Sequence, residues 1–172
     1  MLKIAIIGCG GAGKSTLAKK LGKILNIPVY HLDSIFWKPG WQPIERDELI
    51  EKTMEIQETN QWIIDGNYGA TMDLRLQQAD TVIFLHYSTI RCLYGIVKRR
   101  IQYHNKTRPD MGEDCKERLD WEFFNWVRTY NQKKAPQVLK RLSTLKETKI
   151  HIFTFPKQLE DFLKELKVKT NN

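Results

Sequence analysis

A glycine-rich stretch near the N-terminus, residues 8–15 (GCGGAGKS), has the residue types needed to bind phosphate. Its residues match the G-x-x-x-x-G-K-[ST] spacing of a P-loop. Glycines let such a loop turn its N–H groups toward one anion, and the following helix adds the positive end of its dipole. Lys14 can reach the β- and γ-phosphates, and the Ser15 hydroxyl suits Mg²⁺. The residues predicted to contact ATP are Gly8, Gly10, Gly11, Ala12, Gly13, Lys14, Ser15 and Thr16.

The same stretch also fits the dinucleotide-binding pattern G-x-G-x-x-G through Gly8, Gly10 and Gly13. Asp33 follows Gly13 by 20 residues, where an acidic ribose ligand would lie. A dinucleotide-binding turn has no need of the Lys-Ser pair at the helix start, so the P-loop interpretation is favoured. A dinucleotide-binding oxidoreductase and a glycine-rich turn with a surface lysine remain the alternatives.

Two aspartates follow predicted strands. Asp33 ends an apolar run that begins at Val29, and Asp65 ends one that begins at Trp62. In an open α/β sheet, ligands bind beyond the carboxyl ends of the strands. Asp33 is therefore a candidate base for an acceptor hydroxyl, and Asp65 is a candidate ligand of Mg²⁺ with Ser15 and part of the substrate site. Either aspartate could instead cap the turn that follows it.

The stretch after Asp33 is rich in aromatic side chains, which include Phe36, Trp37 and Trp41, and Arg46 follows them. Aromatic rings beside basic residues can stack on and orient a planar or phosphorylated acceptor. These four residues are therefore predicted to bind substrate. A small core packed beneath a long loop would have the same composition.

Residues 102–118 show no apolar period and predict a lid. Arg99 and Arg100 precede this segment, and Arg108 lies within it. Phosphoryl transfer spreads negative charge over the transferred group, so arginines that a closing lid brings in would stabilise it and exclude water. With Lys14 and Asp33, these three arginines complete the predicted catalytic set.

The whole chain has the size and composition of one soluble domain over residues 1–172. It has no apolar run of membrane-spanning length, and its three scattered cysteines are typical of reduced thiols in a cytoplasm. The net charge is +8, and residues 129–172 hold 10 basic and 4 acidic side chains. This basic third indicates a solvated helical face more than a nucleic-acid surface, and no membrane partner is expected.

Strands and helices alternate along the chain, which predicts a parallel sheet covered on both faces. Five strands are expected to begin near Lys3, Val29, Trp62, Thr81 and Lys149, and Ser34–Pro43 is expected to be a loop. A helix over Thr89–Tyr103 is predicted to bury Ile90, Leu93, Val97 and Ile101, which are spaced three and four apart. Further helices are predicted over Ile44–Thr59, Lys116–Tyr130 and Gln137–Leu145.

With these residues in place, the chain resembles small P-loop kinases such as adenylate kinase. The resemblance lies in the strand–P-loop–helix unit, in residues 62–66 (WIIDG) and in the arginine-flanked lid. It implies a three-layer α/β/α fold with a five-stranded parallel sheet of order 2-3-1-4-5 and a helical lid. Residues 33–39 (DSIFWKP) also look like the Asp-x-x-Phe-Tyr-x-Pro segment of uridine kinase-type enzymes, which implies that Asp33 serves the acceptor hydroxyl.

Over nearly its whole length, the chain resembles the bacterial topology modulation proteins. The matching stretches are residues 8–15, 31–41, 62–68 and 108–111. The chain departs from these relatives at Ala135-Pro136, where they often carry Arg-Pro, and this implies one phosphate-contacting arginine fewer. The adenylate kinase pattern Asp-Gly-Phe-Pro-Arg also fails after Gly66, which argues against a nucleoside monophosphate as acceptor.

Two functions follow from the sequence. The leading hypothesis is an ATP- and Mg²⁺-dependent kinase acting on a small hydroxyl- or phosphate-bearing acceptor. The alternative is a nucleotide-dependent regulatory protein that affects DNA topology and contacts DNA through the basic C-terminal third. The identity of the acceptor, the preference for ATP over GTP and the oligomeric state are not readable from the sequence.

Overall fold

The central sheet has five parallel strands, and its three central strands are buried beneath helices. The computed structural model describes residues 1–170. Ile4, Ile6 and Ile7 of the first strand have no exposed surface, so the sheet is covered on both faces and the fold has three layers. The sheet strands are β1 Lys3–Gly8, β2 Val29–His31, β5 Trp62–Asp65, β6 Thr81–Leu85 and β7 Lys149–Phe153.

The strands lie in the order β2-β5-β1-β6-β7, and every neighbouring pair is parallel. These labels differ from the expected 2-3-1-4-5 because two short strands outside the sheet take the numbers β3 and β4. When the five sheet strands alone are numbered along the chain, the arrangement is the same. The carboxyl ends of β1, β2 and β5 therefore lie side by side, as the position of the predicted site requires.

Helices connect the strands and close the core. Helix α1 packs on β1, β2, β5 and on α8, whereas α5, α6 and α7 pack on one another in sequence. Among the helices of residues 1–170, none is both long and apolar enough to span a bilayer. The longer helices are α1 Lys14–Leu25, α3 Arg46–Gln57, α4 Gly69–Gln78, α5 Thr89–Gln102, α6 Trp121–Lys133, α7 Ala135–Leu142 and α8 Pro156–Thr170.

The segment after β2 is more regular than the predicted loop over Ser34–Pro43. A short helix, α2 Leu32–Phe36, leads into a hairpin of β3 Trp37–Lys38 and β4 Gln42–Pro43. Both Gly40 and Trp41 have positive φ, 75° and 63°, which lets the chain reverse within three residues. Pro39 and Gly40 lie where the chain reverses, and these residue types are typical of a turn, so the sequence contained a signal for the hairpin.

The buried face of α5 is not the predicted one. Ile90, Val97 and Ile101 are 81%, 42% and 73% exposed, and of the four predicted residues only Leu93 packs against the core. Cys92 and Ile96 are fully buried instead. The helix turns this other face inward because Gly95 must lie against the P-loop: a Cβ there would overlap the Gly11 carbonyl oxygen. Contact with the loop thus overrides the apolar period on which the prediction rested.

The predicted helical lid contains no helix. Between the end of α5 and the start of α6, the chain forms turns and two isolated bridges, His104 with Glu117 and Thr107 with Lys116. The following helix begins at Trp121 rather than Lys116, because the Asp120 side chain caps it by accepting from Phe123 N at 2.7 Å. Residues 103–119 are called the lid segment below.

Candidate active site

The P-loop joins β1 to α1 and forms the floor of a cavity of about 940 Å³. Gly10 through Thr16 all line this cavity, whereas Gly8 is buried at the end of β1. Gly11 and Gly13 have φ values of 76° and 90°, in the left-handed region that glycine adopts readily. The Lys14 ammonium donates to the Cys9 carbonyl at 3.0 Å, which places its charge over the loop.

Asp65, at the end of β5, lies directly beside the start of α1. The Ser15 hydroxyl donates to Asp65 Oδ2 at 2.8 Å, and His31 Nδ1 is hydrogen-bonded to Asp65 Oδ1. His31 and Asp65 are register partners in the sheet, so adjacent strands set this contact. A serine hydroxyl beside a buried carboxylate fits Mg²⁺, which prefers a few hard oxygen ligands completed by phosphates and water.

Asp33 lies in α2, two residues beyond the end of β2, and its carboxylate faces the same cavity. The Tyr68 hydroxyl donates to Asp33 Oδ1 at 2.8 Å. Burial, together with the charge of Asp33, raises the pKa of Tyr68, so the phenol keeps the proton that it donates. Asp33 Oδ2 is 3.7 Å from the Arg108 guanidinium, and the side chain is 40% exposed, so an acceptor can reach it.

A buried chain of charges joins α5 to the lid segment. Glu117, whose side chain is 1% exposed, lies 2.8 Å from Arg99 and 2.8 Å from Arg108. Arg108 also donates to Asp110 Oδ2 at 3.0 Å. Burial raises the pKa of Asp110, but the charge of Arg108 and the Ser15 hydroxyl outweigh it and hold that pKa below its usual value. Burial also lowers the pKa of Arg99, and the charge of Arg108 lowers it further.

The lid segment is closed against the hairpin. The Trp41 indole N–H donates to the Lys116 carbonyl at 3.0 Å, and the Arg118 guanidinium lies 4.4 Å from the Trp41 ring. Cys115 is fully buried, with its sulfur 3.4 Å from the Lys38 carbonyl. These contacts give the cavity a wall that contains Trp37, Trp41 and Tyr68.

Three predicted residues lie elsewhere. Arg100 is one position beyond Arg99, so it is rotated away from the cavity and contacts His104 at 2.6 Å. Arg46 begins α3 and is exposed outside the cavity. Phe36 does not line the cavity but packs behind its wall, with ring centroids 4.8 Å from Trp37 and 4.8 Å from Tyr68.

Ala135, the residue that departs from the expected Arg-Pro pair, begins α7 and is 1% exposed. It does not line the cavity. The expected consequence for activity, that one phosphate-contacting arginine is missing at this position, stays a prediction.

Arg75 was missed by the sequence analysis, and it is fully buried beneath the cavity. Its guanidinium donates to the carbonyls of Gly66 and Tyr68 at 3.1 and 3.2 Å, and Nε donates to the Thr71 hydroxyl at 3.2 Å. Burial lowers its pKa to about 10. Arg75 therefore holds the chain between Asp65 and α4. In the sequence, the one sign of this role was a basic residue beside Leu76 on an apolar helix face.

Residues of α5 and α8 that line the cavity were also missed, because they have no common sequence pattern. Arg91 is one of them, with its guanidinium 5.6 Å from the centroid of the Tyr87 ring. The others include Tyr94, Lys98, Pro156 and Leu159.

The basic C-terminal third lies largely on α7 and α8, where several of its cations are paired. Arg141 lies 3.1 Å from Asp73, and Lys157 lies 2.9 Å from Asp161. These exposed pairs are typical of a solvated helical face. Contact with DNA stays a prediction.

No protein-family model matches the chain, and no curated protein matches it. Solved structures do match it. The shikimate kinase from Acinetobacter baumannii in complex with shikimate has a TM-score of 0.62 at 16% identity, over 100% of this chain and 95% of that one. The shikimate kinase from Bacteroides thetaiotaomicron has a TM-score of 0.59 at 19% identity, over 99% of both chains.

The deoxyadenosine kinase from M. mycoides with bound dATP has a TM-score of 0.51 at 15% identity, over 99% of this chain and 100% of that one. Identities this low show the fold alone, and membership of the topology modulation family stays a prediction. The chain therefore has the fold of the P-loop kinases.

Proposed function

We propose that this protein is an ATP-dependent kinase that transfers the γ-phosphoryl group to a hydroxyl of a small molecule. The observation that carries the proposal is the placement of two carboxylates around the P-loop. Asp65 accepts from Ser15 of the loop at 2.8 Å, and Asp33 faces the same cavity within 3.7 Å of the lid arginine Arg108. Kinase chemistry needs this combination of a phosphate cradle, a base and a cation beside the transferred group.

The triphosphate binds along the P-loop, whose N–H groups and Lys14 hold its β- and γ-phosphates. We place the nucleoside against residues of α5 and α8 that line the same cavity. Among them, Arg91, Tyr94 and Pro156 offer a cation and apolar surfaces to a base. Ser15 and Asp65 would hold Mg²⁺, which, when bound, neutralises phosphate charge.

Asp33 removes the proton of the acceptor hydroxyl as that oxygen forms its bond to the γ-phosphorus. The bond between the γ-phosphorus and the bridging oxygen breaks, and ADP leaves with the electron pair. Arg99 and Arg108 line the cavity beside Asp33 and stabilise the charge that spreads over the transferred group. The closed lid segment keeps water from competing with the acceptor.

The test is a phosphoryl-acceptor screen over nucleosides, nucleotides and small metabolites with the wild-type protein and an Asp33→Asn variant. We expect the variant to lose turnover by about 10²–10⁴-fold, because the amide cannot take the proton, while ATP affinity is retained. Lys14→Ala is the complementary control and should lose ATP affinity. Unchanged turnover in Asp33→Asn would remove Asp33 from the role of base.

A further inference from the structure

We propose that His31 is a positioning residue for the metal site: its ring holds the Asp65 carboxylate in the orientation that Mg²⁺ needs beside Ser15. The role rests on the proposed function, because the ion would arrive with the nucleotide that the P-loop binds. No motif in the sequence pointed to His31. Its role follows from the way in which neighbouring parts of the sheet meet at one carboxylate.

Asp65 lies between the two strands that lead to its partners. It ends β5, and β5 lies between β2 and β1 in the sheet. His31 ends β2 and is the register partner of Asp65, whereas Ser15 follows β1 by way of the P-loop. The strand order therefore places one polar side chain on each side of the carboxylate.

Each oxygen of Asp65 is bonded to one of these side chains. The Ser15 hydroxyl donates to Oδ2 at 2.8 Å, and His31 Nδ1 is hydrogen-bonded to Oδ1. An ionised carboxylate can only accept hydrogen bonds, so Nδ1 is the donor in this contact. Two bonds to different oxygens restrict rotation of the carboxylate about its Cβ–Cγ bond, and the side chain is only 4% exposed.

His31 is itself held on both sides of its Cα. Its strand pairs with β5, and its carbonyl accepts from the Ser34 hydroxyl at 2.8 Å where α2 begins. The ring is 12% exposed. It therefore reaches Asp65 from a fixed backbone, as a residue must if it is to orient a metal ligand.

The separation of the two oxygens explains why orientation matters for Mg²⁺. Neighbouring ligands of an octahedral ion with bonds of about 2.0–2.1 Å lie about 2.9 Å apart. Ser15 Oγ and Asp65 Oδ2 are 2.8 Å apart, so they suit two adjacent ligand positions. Because this ion prefers oxygen ligands, His31 would act through Asp65 and not on the ion. Without the bond to Oδ1, the carboxylate could rotate and Oδ2 could leave its place.

The test is calorimetric titration of the full-length protein with a non-hydrolysable ATP analogue, once with Mg²⁺ and once with EDTA. The ratio of the two affinities measures what the metal contributes, and it is compared between wild type and variants of His31. His31→Leu has no donor, and its ratio should fall about tenfold or more while affinity in EDTA changes little. His31→Asn should keep the wild-type ratio, because its amide nitrogen can occupy the place of Nδ1.

A control and a third variant separate this role from a structural one. His86 follows the end of β6, and its ring stacks on Phe84 with centroids 5.0 Å apart, so His86→Leu should leave the ratio unchanged. His31→Gln carries its amide one bond further from the backbone and should lose the ratio as His31→Leu does. His31→Gln also provides the comparison with His31→Asn if His31→Leu does not fold. Equal ratios in these two amide variants would overturn the role.

Two further outcomes would also overturn it. One is a loss of affinity in His31→Leu that is the same in Mg²⁺ and in EDTA, because a purely structural defect would act in both. The other is a wild-type protein whose affinity for the analogue does not depend on Mg²⁺.

The acceptor screen separates this role from the kinase proposal, because the titrations need no acceptor. A wild-type ratio in His31→Leu, together with phosphorylation of an acceptor by the wild-type protein, would overturn the role of His31 and leave the kinase function intact. A lowered ratio in His31→Leu without phosphorylation of any acceptor by the wild type would contradict the kinase function and support the role of His31.

Discussion

Asp33 is held in place by Tyr68, a residue to which the sequence analysis gave no role. The Tyr68 hydroxyl donates to Asp33 Oδ1 at 2.8 Å, and its raised pKa keeps the phenol protonated. This bond leaves Asp33 Oδ2, on the side of Arg108, as the oxygen available to an acceptor proton. Tyr68 is therefore a positioning residue in the proposed reaction.

Tyr68→Phe should lower kcat by about 10-fold to 100-fold with little change in ATP affinity, since a hydrogen bond to a charged group contributes about 1.5–3 kcal/mol. Steady-state kinetics with the acceptor found in the screen measures this effect. Tyr130→Phe is a matched control, because its hydroxyl bonds Asn67 at 3.4 Å instead of a carboxylate. Equal effects of the two variants would argue against a specific role for the bond to Asp33.

At the scale of elements, the lid segment and α5 form one unit through Glu117. This carboxylate lies between two arginines from different segments, and the bridge of Thr107 with Lys116 closes the segment on itself. The hairpin then binds the outer side of the lid through Trp41 and Lys38. The closed position of the lid segment therefore depends on the buried carboxylate of Glu117 more than on apolar packing.

Glu117→Gln should open the lid segment and cost about 3–5 kcal/mol, because two buried arginines would face each other without a shared anion. Hydrogen exchange over residues 104–118 should become faster, and the free energy of unfolding should fall. Glu113→Gln is the control in the same segment, where the side chain is exposed. Slow exchange retained in Glu117→Gln would show that other contacts hold the lid closed.

At the scale of the whole molecule, the end of the sheet opposite the cavity is tied together by Asp80. Its Oδ2 accepts from the N–H groups of Leu2 and Lys3 at 2.6 and 3.0 Å, and its carbonyl accepts from Lys149 at 2.9 Å. Asp80 thus joins the starts of β1, β6 and β7. Partial burial raises its pKa, but the Thr81 hydroxyl and the two N–H groups outweigh this and lower it below 3.8.

The stability that this lowered pKa provides should be present above the ordinary pKa of an aspartate, about 3.9, and should be lost as the pH falls through the lower pKa of the folded protein. Asp80→Asn should remove this part of the acid dependence and destabilise the protein at pH 7 by on the order of 1 kcal/mol, since solvent screens a side chain that is 42% exposed. Urea unfolding between pH 3 and pH 7 measures both effects. An identical pH dependence in wild type and variant would refute the assignment.

Local signals in the sequence predicted the P-loop, the five sheet strands and the two carboxylates at the ends of β2 and β5. These features depend on spacing within one segment and on apolar runs, which a linear pattern records. The lid also appeared as a break in periodicity, but the helix that the resemblance to small P-loop kinases implied for it is absent. The hairpin was missed because its two-residue strands are too short to show alternation.

The sequence by itself therefore determined the glycine-rich loop that is proposed to bind phosphate and which strand ends lie beside it, because glycine conformation and strand burial are local constraints. Only the tertiary structure decided which charges meet. Arg99 rather than Arg100 faces the cavity, because α5 must place Gly95 against the P-loop and this rotation fixes every other side chain on the helix. Likewise, Glu117 pairs with both Arg99 and Arg108 through folding of the lid, a choice of partner that neither residue type nor spacing encodes.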